Sequence, residues 1–315
     1  MIYLCYYHVD EKTKHDPRLV VAHLGTYTSK VKLADSGQTV ILTIVPLLYR
    51  DAGDLRIFYT LQDVKNVLAI PKYAQMPCVK ALLDTFEREC CPNFKDLQKK
   101  EWESSRFPFI VFDGNHRLST SILSKRFSKI LSASYYRMCP PCLKSYRKIF
   151  ITKELLLRRA FFALAVYALG CSSMQSLRTW PVVVSNYWNH QASFAITTIL
   201  NNSDIPEPGD PVFSLWPLDL PKPDLVFYVN FPDDMHVQLI TTRAPNNWKP
   251  RLLKFYQRIQ NPTTIEISTR KGWDEALERM KEYIKINLGT KKLFFFRNLK
   301  FLSSGKNNTY VILKS

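Results

Sequence analysis

No apolar run in the chain reaches the roughly 18 residues needed to cross a membrane. The nearest approach, residues 160–170, follows Arg158-Arg159 and is expected to form a buried helix of a folded domain. Internal repeats and long low-complexity tracts are also missing, which argues against solenoid or compositionally biased architectures. The N-terminus, MIYLCYYHVDEKTKHD, has neither the long apolar core of a signal peptide nor the Arg/Ser-rich, acid-poor character of a transit peptide. The expectation is residence in the cytosol, unless a targeting segment lies outside this chain. Seven cysteines is an odd number, and without a secretory signal they are expected to be mostly reduced thiols. Cys139-Pro-Pro-Cys142 has C-x-x-C spacing, but no second C-x-x-C and no matched pair of histidines follows it. A proline-stiffened loop is expected there in preference to a zinc or redox centre.

Acid is scarce as well. The chain has 27 Asp and Glu against 44 Lys and Arg, a net charge of +17. Between residues 104 and 160 twelve basic residues meet two acids, Asp113 and Glu154, and residues 289–315 hold six basic residues and no acid. These segments carry +10 and +6 of the total. Such a field attracts phosphate, whether on nucleotides, nucleic acid or anionic lipid.

What is present is material for a folded protein: 46% hydrophobic and 13% aromatic residues over 315 positions, enough for one substantial core or a core domain with a smaller one. Residues 1–100 read as a separate α+β extension, with strands expected at 40–48 and 55–61 and a helix at 79–91; no chemistry-bearing motif falls there. The polar stretch KDLQKKEWESS, residues 95–105, is a plausible linker. From 107 onward short β-branched runs at 107–112, 181–184, 225–231 and 264–267 alternate with helical patterns at 121–131, 154–170 and 273–284, where Gly289 is expected to cap the end. This alternation predicts βαβ units and a parallel sheet flanked by helices. Ligands on such sheets bind beyond the C-terminal strand ends, which singles out residues 113–121, 185–187 and 231–234.

The first of these, FIVFDGNHRLSTSIL (109–123), can be laid on the phosphate-loop pattern G-x-x-x-x-G-K-[ST]. Gly114 fits the first glycine. Ser119 stands at the second glycine, Thr120 at the lysine, and Ser121 at the hydroxyl position. The pattern leaves two readings open, a phosphate loop stripped of its chemistry or an ordinary strand–loop–helix connection.

Five landmarks extend the likeness: PPCLKSYRKIF (140–150), LLRRAFFALAVYAL (156–169), PVVVSNYWNHQASFAI (181–196), PVFSLWPLDLPKPDLVFYVNF (211–231) and FYQRIQNP (255–262). In this order, over about 105–288, the chain resembles the thymidylate kinase-like P-loop family, and within it the mitochondrial UMP–CMP kinases. The resemblance implies a nucleoside-monophosphate-kinase domain at 105–288, an N-terminal extension of unknown role at 1–100, and a basic tail at 289–315. It implies ATP and Mg²⁺ as cofactors of phosphoryl transfer, and mitochondria as a second possible compartment.

It also implies where the chemistry should sit, and there this sequence departs. Asp113 and Gly114 match the family's loop, while Ser119 and Thr120 replace its glycine and lysine; Arg117 is the nearest substitute cation, and Ser121 keeps a hydroxyl. An Asp-Arg pair expected after the 181–184 strand is Ser185-Asn186 here, followed by the matching Tyr187 and Trp188. In the base-reading helix Arg158, Arg159 and Phe161 match, Phe162 remains available for stacking, and Val166 replaces a polar residue. The lid, TTRAPNNWKPRLL, is short, with Arg243 and Arg251 as remaining phosphate clamps. With loop, pair, base reader and lid altered together, the expectation is a pseudoenzyme that binds a nucleotide or a protein partner. The alternatives are an active pyrimidine nucleoside monophosphate kinase using Arg117, and a nucleic-acid binder using the basic runs 117–159 and 291–300.

Overall fold

The computed structural model describes residues 57–92, 94, 106–199, 205–210, 213–232, 248–259 and 261–287, together with three N-terminal strands. Those strands, β1 (Tyr6–His8), β2 (Tyr27–Lys32) and β3 (Thr39–Ile44), form an antiparallel sheet in the order β1-β3-β2. The expectations for 45–48, for the linker at 95–105, for Gly289 and for the basic tail lie outside the described residues.

The main sheet is parallel and contains β4 (Phe109–Gly114), β5 (Ser134–Arg137), β6 (Val182–Ser185), β7 (Leu225–Asn230) and β8 (Thr264–Ser268), ordered β5-β6-β4-β7-β8. Four of the five fall where the sequence places them; β5, with its serine, two tyrosines and arginine, has no apolar run to announce it. Strands buried on both faces read as continuous apolar runs, and β4 shows the consequence. Phe109 and Val111 enter one core layer, Ile110 and Phe112 the other, because successive side chains point to opposite faces. Among the described residues this α/β sheet is flanked by helices as expected.

The chain before the sheet corrects two expectations. Residues 57–60 form no strand; helix α1 (Leu61–Leu68) begins there instead. Thr60-Leu-Gln-Asp63 is a capping box: the Thr60 hydroxyl accepts from Asp63 N–H, and the Asp63 carboxylate accepts from Thr60 N–H. That local pairing overrides the apolar look of 55–61. Helices α2 (Pro71–Ala74) and α3 (Pro77–Thr85) follow, and α3 runs into a π-turn at Phe86–Cys90. Val64, Leu68, Val79, Leu82 and Phe86 from this region share one hydrophobic cluster with the sheet. Packing therefore crosses the boundary expected near residue 100.

The second correction concerns the thiols. Cys90 is bonded to Cys142 and Cys91 to Cys171. Their Cα atoms lie 5.8 and 5.6 Å apart, within ordinary disulfide reach. Two neighbouring cysteines at the end of the π-turn meet partners from different elements, which sequence spacing does not reveal. The two cysteines of the C-x-x-C go separate ways: Cys142 is in a bridge, and Cys139 is a half-buried free thiol.

Helix α4 (Arg117–Ile130) follows β4, and α5 (Arg147–Phe150) leads into α6 (Leu155–Leu177). Helix α6 is long and apolar enough to cross a membrane, but most of it is buried inside the protein, between the sheet and α1. Helices α7 (Trp188–Ile199), α8 (Trp248–Arg258) and α9 (Trp273–Asn287) complete the flanks. At the N-terminal strand edge Arg106 donates to Asp224 through Nη1 (2.7 Å) and Nη2 (3.1 Å), and Asp224 also accepts Phe109 N–H at 2.8 Å. Both side chains are about nine-tenths buried. Removing one partner of such a pair leaves a desolvated charge, so Asp224→Ala should cost about 3–5 kcal/mol in urea unfolding. Peptide mapping without reductant should recover the two cystine pairs, with Cys78 and Cys139 open to alkylation.

Candidate functional site

The crossover from β4 leads outward to β5, and the crossover from β6 leads back over β4 to β7. Neighbouring strands β6 and β4 thus send their chains in opposite directions, and their C-terminal ends form the switch point where ligands of such sheets bind. Asp113, Gly114, Asn115 and His116 stand at one side of it; Ser185, Asn186, Tyr187 and Trp188 stand at the other.

Between strand and helix only Asn115 and His116 are not in a regular element. Helix α4 starts at Arg117, two residues before the position of the second glycine. His116 is its cap: Nδ1 accepts Ser119 N–H at 3.4 Å and lies 2.8 Å from Ser119 Oγ. Thr120 N–H donates to the His116 carbonyl (3.0 Å), as does the Thr120 hydroxyl (2.9 Å). Asn115 N–H donates to the Val229 carbonyl at 3.3 Å. The Asn115 side chain clamps the next loop, donating to Asn230 Oδ1 and the Phe231 carbonyl and accepting Phe231 N–H. The His116 ring packs on Phe231, with centroids 4.4 Å apart. A phosphate nest needs successive backbone N–H groups aimed at one point; three of those in this stretch are already satisfied within the chain.

Gly114 has a packing reason of its own. A Cβ there would lie 2.6 Å from Thr120 Oγ1 and 2.5 Å from the Val229 carbonyl. The threonine at the lysine position thus fills the space above the glycine. Ser119 and Thr120 are buried, Ser121 is half-buried and Arg117 is exposed.

Asp113 is fully buried. Its Oδ1 accepts Tyr187 N–H at 3.1 Å, tying the end of β4 to the turn after β6. Burial pushes its carboxyl up to about 7, only partly opposed by the hydrogen bond from Tyr187 N–H and by the nearby Tyr256 hydroxyl, while Oδ2 is buried without a hydrogen-bond partner. Tyr256, on α8, stacks on Tyr228 of β7 with centroids 4.4 Å apart. Asn186 occupies the left-handed region at φ 63°, a conformation asparagine tolerates. Tyr187 is buried and donates its hydroxyl to the Pro221 carbonyl. Trp188 is buried too, and its indole N–H donates to the Phe58 carbonyl at 2.8 Å.

On α6, Arg158 reaches the Ile151 carbonyl, and Phe162 is half-buried, packed edge-on against Phe161 at 5.2 Å. Arg159 points inward; its Nη1 is buried without a hydrogen-bond partner. Burial, with Arg158 beside it, pulls the Arg159 guanidinium down to about 10. Arg251 is half-buried on α8, and Arg243 lies outside the described residues. The structure thus brings Asp113, Gly114, Ser119, Thr120 and Tyr187 together at the switch point, with Arg117 on the outer surface of α4. Asn115 and His116 fall within the singled-out stretch 113–121 but carry no role there in the sequence, and Tyr256 and Phe58 lie outside the singled-out stretches. Only His116 left a signal, an acceptor side chain three residues before Ser119 at a helix start.

No family model matches the chain. A curated relative, the human mitochondrial UMP-CMP kinase 2, is 25% identical over 224 residues, covering 67% of this chain and 48% of that protein. The chain spans about half the length of the relative it matches. Among solved structures, a thymidylate kinase from Candida albicans aligns with 58% of this chain and 93% of its own at 14% identity and a TM-score of 0.46. A thymidylate kinase from Ehrlichia chaffeensis aligns with 56% and 97% at 14% identity and a TM-score of 0.41. The chain is thus similar in sequence to a mitochondrial nucleoside monophosphate kinase.

Asp113 yields a pH prediction. Its folded pKa lies above the ordinary carboxylate value, so the folded state holds the proton more tightly between about pH 4 and 7. Stability from this group is complete in acid and falls as pH rises through 7. Comparing wild type with Asp113→Asn by urea unfolding should show the variant gaining, relative to wild type, on the order of 4 kcal/mol across that window and then levelling off.

Proposed function

We propose that this protein has a nucleoside-monophosphate-kinase-like fold without effective phosphoryl transfer, and acts by binding a nucleotide or a protein partner. The observation that carries the reading is the early start of α4 at Arg117, with Thr120 turned onto the His116 carbonyl and against Gly114. Phosphoryl transfer is almost wholly positioning and charge neutralisation, and the stretch that should cradle the triphosphate is occupied by its own hydrogen bonds. The remaining parts agree. Asp113 is turned inward to Tyr187 N–H, so it offers Mg²⁺ no open ligand face. Ser185 and Asn186 supply neither the acid nor the base of the missing pair. The residues present do not fit ATP and Mg²⁺ as the family holds them. Resemblance to the human relative favours mitochondria as the compartment, and two disulfides favour a space less reducing than the cytosol.

The test is ADP release with ATP and CMP, UMP or dTMP, alongside calorimetric titration of each nucleotide. No turnover above the blank is expected. Thr120→Lys should not restore it, since the helix fills the cradle; one missing stabilising group in an otherwise open site would leave a deficit of only about 10²–10³. Turnover by wild type at rates ordinary for such kinases would overturn the reading.

A further inference from the structure

The crevice beside the C-terminal end of β6 is bounded by Arg159, Val166 and Tyr167 of α6 and by Trp188 and Gln191 of α7. Its third wall is supplied by Ile57 and Phe58, which precede α1. What remains open is about 20 Å³, room for one or two waters and not for a nucleotide. Yet the crevice keeps a buried guanidinium nitrogen with no partner, an arrangement that is costly unless something anionic reaches it.

The segment that fills the crevice is fixed at both ends. Phe58 offers its carbonyl to the Trp188 indole (2.8 Å), and the Tyr59 ring packs on Trp188 with centroids 5.4 Å apart. One residue into α1, Leu61 N–H donates to Asp219 Oδ2 (2.7 Å), while Tyr167 donates to Oδ1 of the same carboxylate (2.8 Å). Some thirty residues on, the π-turn that ends this helical run is bonded through Cys90 to Cys142 and through Cys91 to Cys171 of α6. Among the described residues three exposed ion pairs, Lys65 with Glu87 and Arg88 with Asp84 inside the run and Lys72 with Glu154 across it, add charge contacts; exposed pairs of this kind contribute little.

We propose that residues 57–59 are a built-in occupant of the crevice, latched by the two disulfides, and that reduction by a dithiol opens the crevice and exposes Arg159 to a small phosphate-bearing ligand. The nature of that ligand rests on the proposed nucleotide-binding reading; the latch does not. Each bridge opens when a dithiol gives two electrons and two protons, leaving two cysteine thiols and the dithiol's own cyclic disulfide. Opening removes the covalent ties of the run 57–91 to α6 and to the turn holding Cys142, leaving its hydrogen bonds and apolar packing as the remaining hold. The strands of the sheet carry neither bridge and keep their parallel ladder.

The experiment uses the full chain, oxidised or treated with dithiothreitol, with two readouts by mass spectrometry: modification of Arg159 by phenylglyoxal, and deuterium uptake. Reduction should raise Arg159 modification and amide exchange across 57–68 at least about tenfold, while 109–114 and 225–230 stay protected. Cys90→Ser/Cys91→Ser should match the reduced state without reductant, and Phe58→Ala should expose Arg159 with both bridges intact. Equal Arg159 modification in the two redox states overturns the latch. So does loss of protection throughout the sheet, which would make the bridges supports of the whole fold. Arg159 that reacts only after reduction, yet is not shielded by millimolar CMP, UMP or dTMP, upholds the latch and overturns the nucleotide reading.

Discussion

The point at which α4 begins governs what the switch point can hold. A helix started at Arg117 spends its first turn on residues that a phosphate loop would leave extended around an anion. The cap on His116 makes that start favourable, satisfying Ser119 N–H locally. Once the helix starts there, Thr120 falls against Gly114 and Asn115 is drawn onto the loop after β7. The closed connection is therefore a cooperative set of short-range contacts, not the loss of one lysine.

The same end of the sheet is closed from the other side by a different means. Asp113 is sunk into the core and held by Tyr187 N–H, and Trp188 reaches across to Phe58. At these strand ends Asn115, Ser119, Thr120 and one oxygen of Asp113 are thus engaged with the chain itself. A parallel sheet carries this burden without strain, because its stability resides in the two apolar layers on its faces and not in the strand ends. An apolar frame of this kind leaves the polar positions at the rim free to vary without cost to the core.

Residues 57–91 give the frame a second layer over α6. That layer explains why α6 is apolar nearly all round: one side faces the sheet and another faces α1. An apolar helix of 23 residues needs cover, and here the cover comes from the chain before the sheet, fastened by two bridges.

The periodicity of the sequence determined most of the sheet, since strands buried on both faces must be continuous apolar runs; β4, β6 and β7 were legible for that reason, β8 by its short β-branched run, and the long helices by their own spacing. The resemblance was legible too, and so was the chemistry of positions 119, 120, 185 and 186, because residue identity alone shows that two serines, a threonine and an asparagine stand there. Tertiary structure alone decided the rest. β5 exists through pairing with β6, not through its own apolarity. The thiols of Cys90 and Cys91 meet partners 52 and 80 residues away, a closeness no spacing rule encodes. Phe58 reaches the crevice only because the capping box turns the chain into α1 at Thr60. Contacts of that kind are set by where packed elements bring distant residues, and a linear pattern carries no record of it.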